Sequence, residues 1–83
     1  MLTEPFKLSD SKLFVNVDAP KGELRIELLN GDGKVVAKSK PLTGDLLREP
    51  VKWTDGNIAK LKGQIASLRF TLRNGQFYSY WLE

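Results

Sequence analysis

The stretch from Ile65 to Glu83, IASLRFTLRNGQFYSYWLE, limits the possible folds more than any other part of the chain. Leu68, Phe70 and Leu72 alternate with Arg69, Thr71 and Arg73, the period of a strand with one buried face. Asn74-Gly75 follows, a pair suited to a type I′ turn because both residues tolerate positive φ. Phe77, Tyr78, Tyr80 and Trp81 lie on the return segment, Gln76 to Leu82. The stretch predicts a β-hairpin whose aromatic side chains form either the core of the domain or its binding surface.

Register across Asn74-Gly75 sorts those aromatics. A strict two-residue loop pairs Leu72 with Phe77 and Leu68 with Trp81, turning Phe77 and Trp81 inward and Tyr78 and Tyr80 outward. One extra residue in the turn flips the return strand, placing Tyr78, Tyr80 and Leu82 inside and Trp81 outside. The second arrangement buries three large residues and avoids a core serine, so it is the favoured one.

The preceding chain repeats the short-strand pattern. Thr3 to Leu8 reads as an edge strand that tolerates Pro5. In Lys12 to Asp18, Leu13, Val15 and Val17 share one face, and Phe14, Asn16 and Asp18 the other. Ala19-Pro20-Lys21-Gly22 reads as a turn. Glu23 to Leu29 has the cleanest alternation, with Leu24, Ile26 and Leu28 inward and Glu23, Arg25 and Glu27 outward. Asn30-Gly31-Asp32-Gly33 is a hairpin loop leading into Lys34 to Lys38. Ser39 to Asp45 is irregular. Leu46 to Trp53 is a strand broken or bulged at Pro50, with Leu47, Val51 and Trp53 compatible with one face. Ile58 to Leu61 could form one helical turn, capped by Asn57 and stopped by Gly63.

Turns about ten residues apart, without β-α-β alternation, predict a single all-β domain over residues 1–83. The expected architecture is an antiparallel β-sandwich, jelly-roll-like, of seven to eight short strands. At 83 residues the core is thin and each large apolar residue counts.

Composition narrows the chemistry. Cysteine and histidine are both absent, which removes disulfides, thiolate and imidazole metal ligands, and the usual general base. No cofactor, metal site or catalytic residue is expected. Asn30-Gly31-Asp32-Gly33 resembles a calcium loop only superficially, because Ser39 stands where a bidentate acid is needed. Glu23 with Glu27, and Asp45 with Glu49, are carboxylate pairs on exposed strands, with no pocket to raise one pKa for acid catalysis. The net charge of +3 is mild and the lysines are dispersed, so nucleic-acid binding is not expected, and with no run of about 18 apolar residues no membrane span is expected either.

The aromatics support a different function. Sugar rings present apolar C–H faces that stack on Trp and Tyr, while their hydroxyls seek fixed polar partners. Trp53, Trp81, Tyr80 and Tyr78 are candidates for such a platform. Arg69 and Arg48 are candidate polar partners, with Arg73 and Gln76 beside them. The competing role is core packing, since each ring buries about 150–250 Å².

Four segments taken together, TEPFKLSDSKLFVNVDA, GELRIELLNGDGK, LTGDLLREPVKW and LKGQIASLRFTLRNGQFYSYWLE, carry a resemblance. In content and order they resemble a C-terminal β-sandwich module of bacterial, planctomycete-type, glycoside-hydrolase-like and sialidase-like proteins. The segment between Val36 and Asp45 is shorter than usual there. The resemblance implies a non-catalytic accessory domain, attached to a catalytic domain of a larger parent. It also implies export of that parent, to the periplasm or cell exterior, to act on polysaccharide or conjugated sugars. No residue of the module is tied to sugar binding by the resemblance, so the candidate site rests on surface chemistry. The expected function is a carbohydrate-binding or carbohydrate-associated module with a glycan ligand. The alternative is a purely structural domain that packs against its catalytic partner.

Overall fold

The computed structural model describes residues 2–9, 12–56 and 61–83. Among these the chain is almost entirely strand, forming one antiparallel sheet of seven: β1 (Phe6–Lys7), β2 (Leu13–Asn30), β3 (Val35–Ser39), β4 (Leu42–Pro50), β5 (Trp53–Asp55), β6 (Ile65–Arg73) and β7 (Gln76–Leu82). The all-β antiparallel class is as the alternation predicts. The helical turn expected at Ile58 to Leu61 lies, except for Leu61, outside the described residues.

The sheet is organised around β2. It spans 18 residues, which laid straight would reach about 60 Å. The longest dimension of the molecule is 34 Å, so β2 must bend. The bend falls at Ala19 to Gly22, where the sequence suggests a turn. Before it Leu13, Val15, Val17 and Ala19 are buried; after it the buried positions are Leu24, Ile26 and Leu28. The inward phase therefore switches from odd to even numbers across the corner, and both sets join one core.

The neighbours of β2 bend with it. On one edge, β7 pairs with residues 13–18 and β6 with residues 23–30, both antiparallel. On the other edge, β4 and β3 divide the length in the same way. Leu24 pairs with Leu72 of β6 and with Leu42 of β4, which fixes β4 on the β3 side and β7 on the β6 side. The result is three long antiparallel strands, each bent at the same level. Outside them, β5 borders β3 and β1 borders β6.

This geometry overturns the hairpin at Asn74-Gly75. No ladder joins β6 to β7 among the described residues, so neither register considered from the sequence occurs. Asn74 has φ 53°, but Gly75 does not take the second positive φ of a type I′ turn. The dipeptide is a corner opposite the corner of β2, and there the strands approach very closely. A Cβ at Gly22 would lie 1.8 Å from the Arg73 carbonyl oxygen, and one at Gly75 would lie 2.6 Å from the Ala19 Cβ. Glycine is required at both places because a side chain has no room.

The fold-back brings Phe70 of β6 onto Phe77 and Tyr80 of β7, with ring centroids 4.8 and 4.9 Å apart. Along a straight strand Phe70 and Tyr80 would be about 33 Å apart. Phe77 and Tyr80 can both face inward because β7 carries an extra residue at Tyr78: Asn16 pairs with Ser79, but Val17 with Phe77. Tyr78 is consequently exposed rather than inside, while Tyr80 and Leu82 pack on the core.

Other local features follow the sequence more closely. In the loop after β2, Asn30 Oδ1 accepts hydrogen bonds from the Asp32 and Lys34 amides at 2.9 and 3.0 Å, the Asx-turn chemistry that the residue favours. Segment 2–8 covers the edge of β6. The Thr3 amide donates to the Leu68 carbonyl, and Thr3 Oγ1 accepts from the Leu68 amide. Pro50 ends β4, as its missing N–H suggests. Leu47 does not share an inward face with Val51 and Trp53. The β4 register slips between Val15 and Val17 of β2, and Leu47 is 73% exposed.

Candidate functional site

The first half of the sheet, with β4 and β7 flanking residues 13–18 of β2, has an outer face where aromatic and polar groups meet. Phe14 points out because Leu13 and Val15 point in. Trp81 is its direct partner on β7, and their rings lie nearly parallel, 14° apart with centroids separated by 5.9 Å. From β4, the Arg48 guanidinium carbon sits 4.9 Å from the Phe14 centroid and 5.8 Å from the Trp81 centroid. These three distances form a nearly equilateral triangle, so Arg48 caps both rings. One Arg48 Nη2 in turn donates to both carboxylate oxygens of Glu83, at 2.8 and 2.9 Å.

The next rows on this face are polar. Asn16 lies opposite Ser79, and Asp18 lies between Gln76 of β7 and Asp45 of β4. An apolar pair thus adjoins hydroxyl, amide and carboxylate groups on rigid strands. The Arg48–Glu83 ion pair is exposed on both sides. Such pairs contribute about 0–1 kcal/mol, and an exposed cation–π contact about 0.5–1 kcal/mol, so a ligand ring could displace Arg48 from the aromatic faces.

Of the candidates named from the sequence, the structure brings Trp81 and Arg48 together. It separates the others. Trp53 is on β5 at the far edge of the sheet, half-buried against the core. Tyr80 faces inward onto Phe70. Tyr78 stands out from the bulge, its hydroxyl donating to Gln76 Oε1. Arg69 is on the outer face of the other half, where its Nε donates to Glu27 Oε1 at 2.8 Å. That hydrogen bond, with the attraction of the same carboxylate, raises the Arg69 pKa above its ordinary value; Glu23 does the same for Arg25.

Phe14 and Glu83 are the site members that sequence reasoning missed. Phe14 had a legible signal, an aromatic on the outward phase of an otherwise apolar-inward strand. Its pairing with Trp81 is a long-range contact that no local pattern reports. Among the described residues, no group of three or more acidic side chains gathers as a metal site would require.

Fold and face together define a small antiparallel all-β domain with an aromatic–polar outer surface. Comparison with known proteins adds nothing to that class: no family model, curated protein or solved structure matches the chain.

Proposed function

We propose that this domain is a non-catalytic carbohydrate-binding accessory module, which holds an attached hydrolase near its glycan. The observation that carries the reading is the near-parallel Phe14–Trp81 pair, half-exposed beside the polar row Asn16, Ser79, Asp18 and Gln76. Two adjacent ring faces suit the C–H face of a pyranose, and the row beside them suits its hydroxyls. The catalytic domain, the exported parent and the extracellular or periplasmic setting come from the family resemblance.

A second reading, a purely structural module packed against a catalytic domain, is favoured by one specific observation. Arg48 already covers both rings and is tied to Glu83, so the cluster could serve only to clasp β4 to the chain beyond β7.

The test is titration of the domain with a panel of neutral polysaccharides, followed by tryptophan fluorescence and by retardation in affinity gels. Carbohydrate binding gives a spectral shift and retardation with at least one polymer, and Trp81→Ala and Phe14→Ala abolish both without unfolding the domain. Unchanged fluorescence and mobility with every polymer would sink the carbohydrate reading and leave the structural one.

A further inference from the structure

The second half of the sheet, where β3 and β6 flank residues 23–30 of β2, carries a different outer face. Glu23, Arg25 and Glu27 of β2 point outward because Leu24, Ile26 and Leu28 fill the core. Register then sets Arg73 beside Glu23, Thr71 beside Arg25, and Arg69 and Lys38 on either side of Glu27. On β2, β3 and β6 the face has four cations and two carboxylates, and each of these carboxylates already holds an arginine: Arg25 on Glu23 and Arg69 on Glu27, both at 2.8 Å; the register position of Asp55 on β5 lies beside Lys38. Arg73 and Lys38 make no ion pair among the described residues.

Three depressions run together across this face. One, of about 450 Å³, is lined by Lys21, Thr43 and Arg73 among others. The next, of about 290 Å³, lies between Arg73, Thr71 and Arg25. The third, of about 240 Å³, continues from Arg25 and Thr71 to Lys38. Arg73 is common to the first and second, Arg25 and Thr71 to the second and third, so the three form one shallow groove. Between Glu23 and Glu27 alone it follows β2 for about 13 Å.

We propose that this groove binds an extended acidic polysaccharide, through the sulfate or carboxylate groups along its chain. Hydrogen-bond capacity supports the assignment. A guanidinium has five N–H donors in a planar fork that matches a two-oxygen anion. Arg25 commits its Nε and one Nη2 donor to Glu23, and Arg73 commits none, so both retain donors for a ligand. In both resident pairs the arginine side chain is exposed and the carboxylate about a quarter exposed, so each guanidinium keeps a face open to an incoming anion. Thr43, Thr71 and Asn74 lie between the cations and can meet sugar hydroxyls. No aromatic side chain lines the groove, which leaves the bases of a single-stranded nucleic acid without a stacking surface. The groove is separate from the Phe14–Trp81 face, so the two sites stand or fall independently.

The test measures binding of the whole domain to dextran sulfate, polygalacturonate, neutral dextran and a single-stranded oligonucleotide at low and high salt. Dextran sulfate and polygalacturonate separate the sulfate and carboxylate sources. At least one acidic polysaccharide should bind, in a salt-sensitive manner, while dextran does not. The double substitution Arg73→Gln with Lys38→Gln should weaken that binding about tenfold, as expected for loss of charge-assisted contacts. The control Lys12→Gln with Lys62→Gln removes the same charge outside the groove and should change it less than about twofold, because exposed charges at that range are screened. Circular dichroism and the melting temperature establish that both variants are folded. Binding to neither acidic polymer, equal losses in the two double variants, or tighter binding of the oligonucleotide than of either polysaccharide would overturn the proposal.

Discussion

Replacing Gly22 with alanine tests the bent-strand fold at its tightest point. The added Cβ would sit 1.8 Å from the Arg73 carbonyl oxygen, 2.7 Å from that of Asn74 and 2.8 Å from the Arg73 carbonyl carbon. All three are backbone atoms, so no side chain can swing aside. Relief requires the corner of β2 to move away from the corner between β6 and β7 by more than 1 Å, roughly the gap to an ordinary contact. Overpacking of this kind costs about 1–3 kcal/mol when side chains can yield, and a backbone collision belongs at or above the upper end. Against this, alanine removes about 0.4–1 kcal/mol of unfolded-chain entropy. The net loss should be about 2–3 kcal/mol, a large part of the roughly 4–12 kcal/mol expected for a domain of this length. Gly33→Ala is the reference. Gly33 has φ 81° with nothing within 4 Å of an added Cβ, so only the left-handed backbone opposes the change, at about 1–2 kcal/mol. Urea unfolding followed by tryptophan fluorescence measures both. A Gly22→Ala domain no less stable than Gly33→Ala would refute the close approach of the two corners.

Three further outcomes follow from the same geometry. Phe70, 3% exposed and stacked on both Phe77 and Tyr80, should cost about 3–5 kcal/mol on substitution by alanine, measured by urea or thermal unfolding. Arg48→Gln should cost about 0.5–2 kcal/mol, the sum of an exposed ion pair and an exposed cation–π contact, while it uncovers Trp81 and shifts that residue's fluorescence emission to the red. Stability should be flat between about pH 6 and 8, since no side chain in the sequence has an ordinary pKa in that interval. The raised pKa values of Arg25 and Arg69 agree: a raised folded-state pKa contributes stability that is fully present below the unfolded value and is lost only at strongly alkaline pH.

Most strands were legible in the sequence because alternation is a local property, but the start of β4, Leu42 to Asp45, lies in a segment read as irregular. Leu13, Val15 and Val17, then Leu24, Ile26 and Leu28, then Leu68 and Phe70 all face the core as their period requires. One partner was legible, β3 across the loop Asn30-Gly31-Asp32-Gly33, and the others were not. Ala19-Pro20-Lys21-Gly22 and Asn74-Gly75 have turn chemistry, and turn chemistry is the same whether the flanking strands pair with each other or continue around a corner beside a third strand. The switch of inward phase between Ala19 and Leu24 was present in the sequence, but it fits a turn as well as a bend. In β7 the bulge at Tyr78 breaks the period of two, so neither uniform register could place Phe77, Tyr80 and Leu82 together on the core side. The candidate site was half legible for the same reason. Trp81 and Arg48 stand out by residue type, but their meeting at Phe14 depends on β7 and β4 flanking β2, a long-range fact.

The most direct measurement is the set of cross-strand nuclear Overhauser contacts of the last two strands in solution. The bent-strand fold gives contacts between Phe14 and Trp81, between Arg73 and Glu23, and between the rings of Phe70 and Tyr80, with no backbone contact between Leu72 and Phe77. A Leu72–Phe77 backbone contact, with Leu68 facing Trp81, would restore the hairpin and dismantle both the core and the candidate carbohydrate face described above.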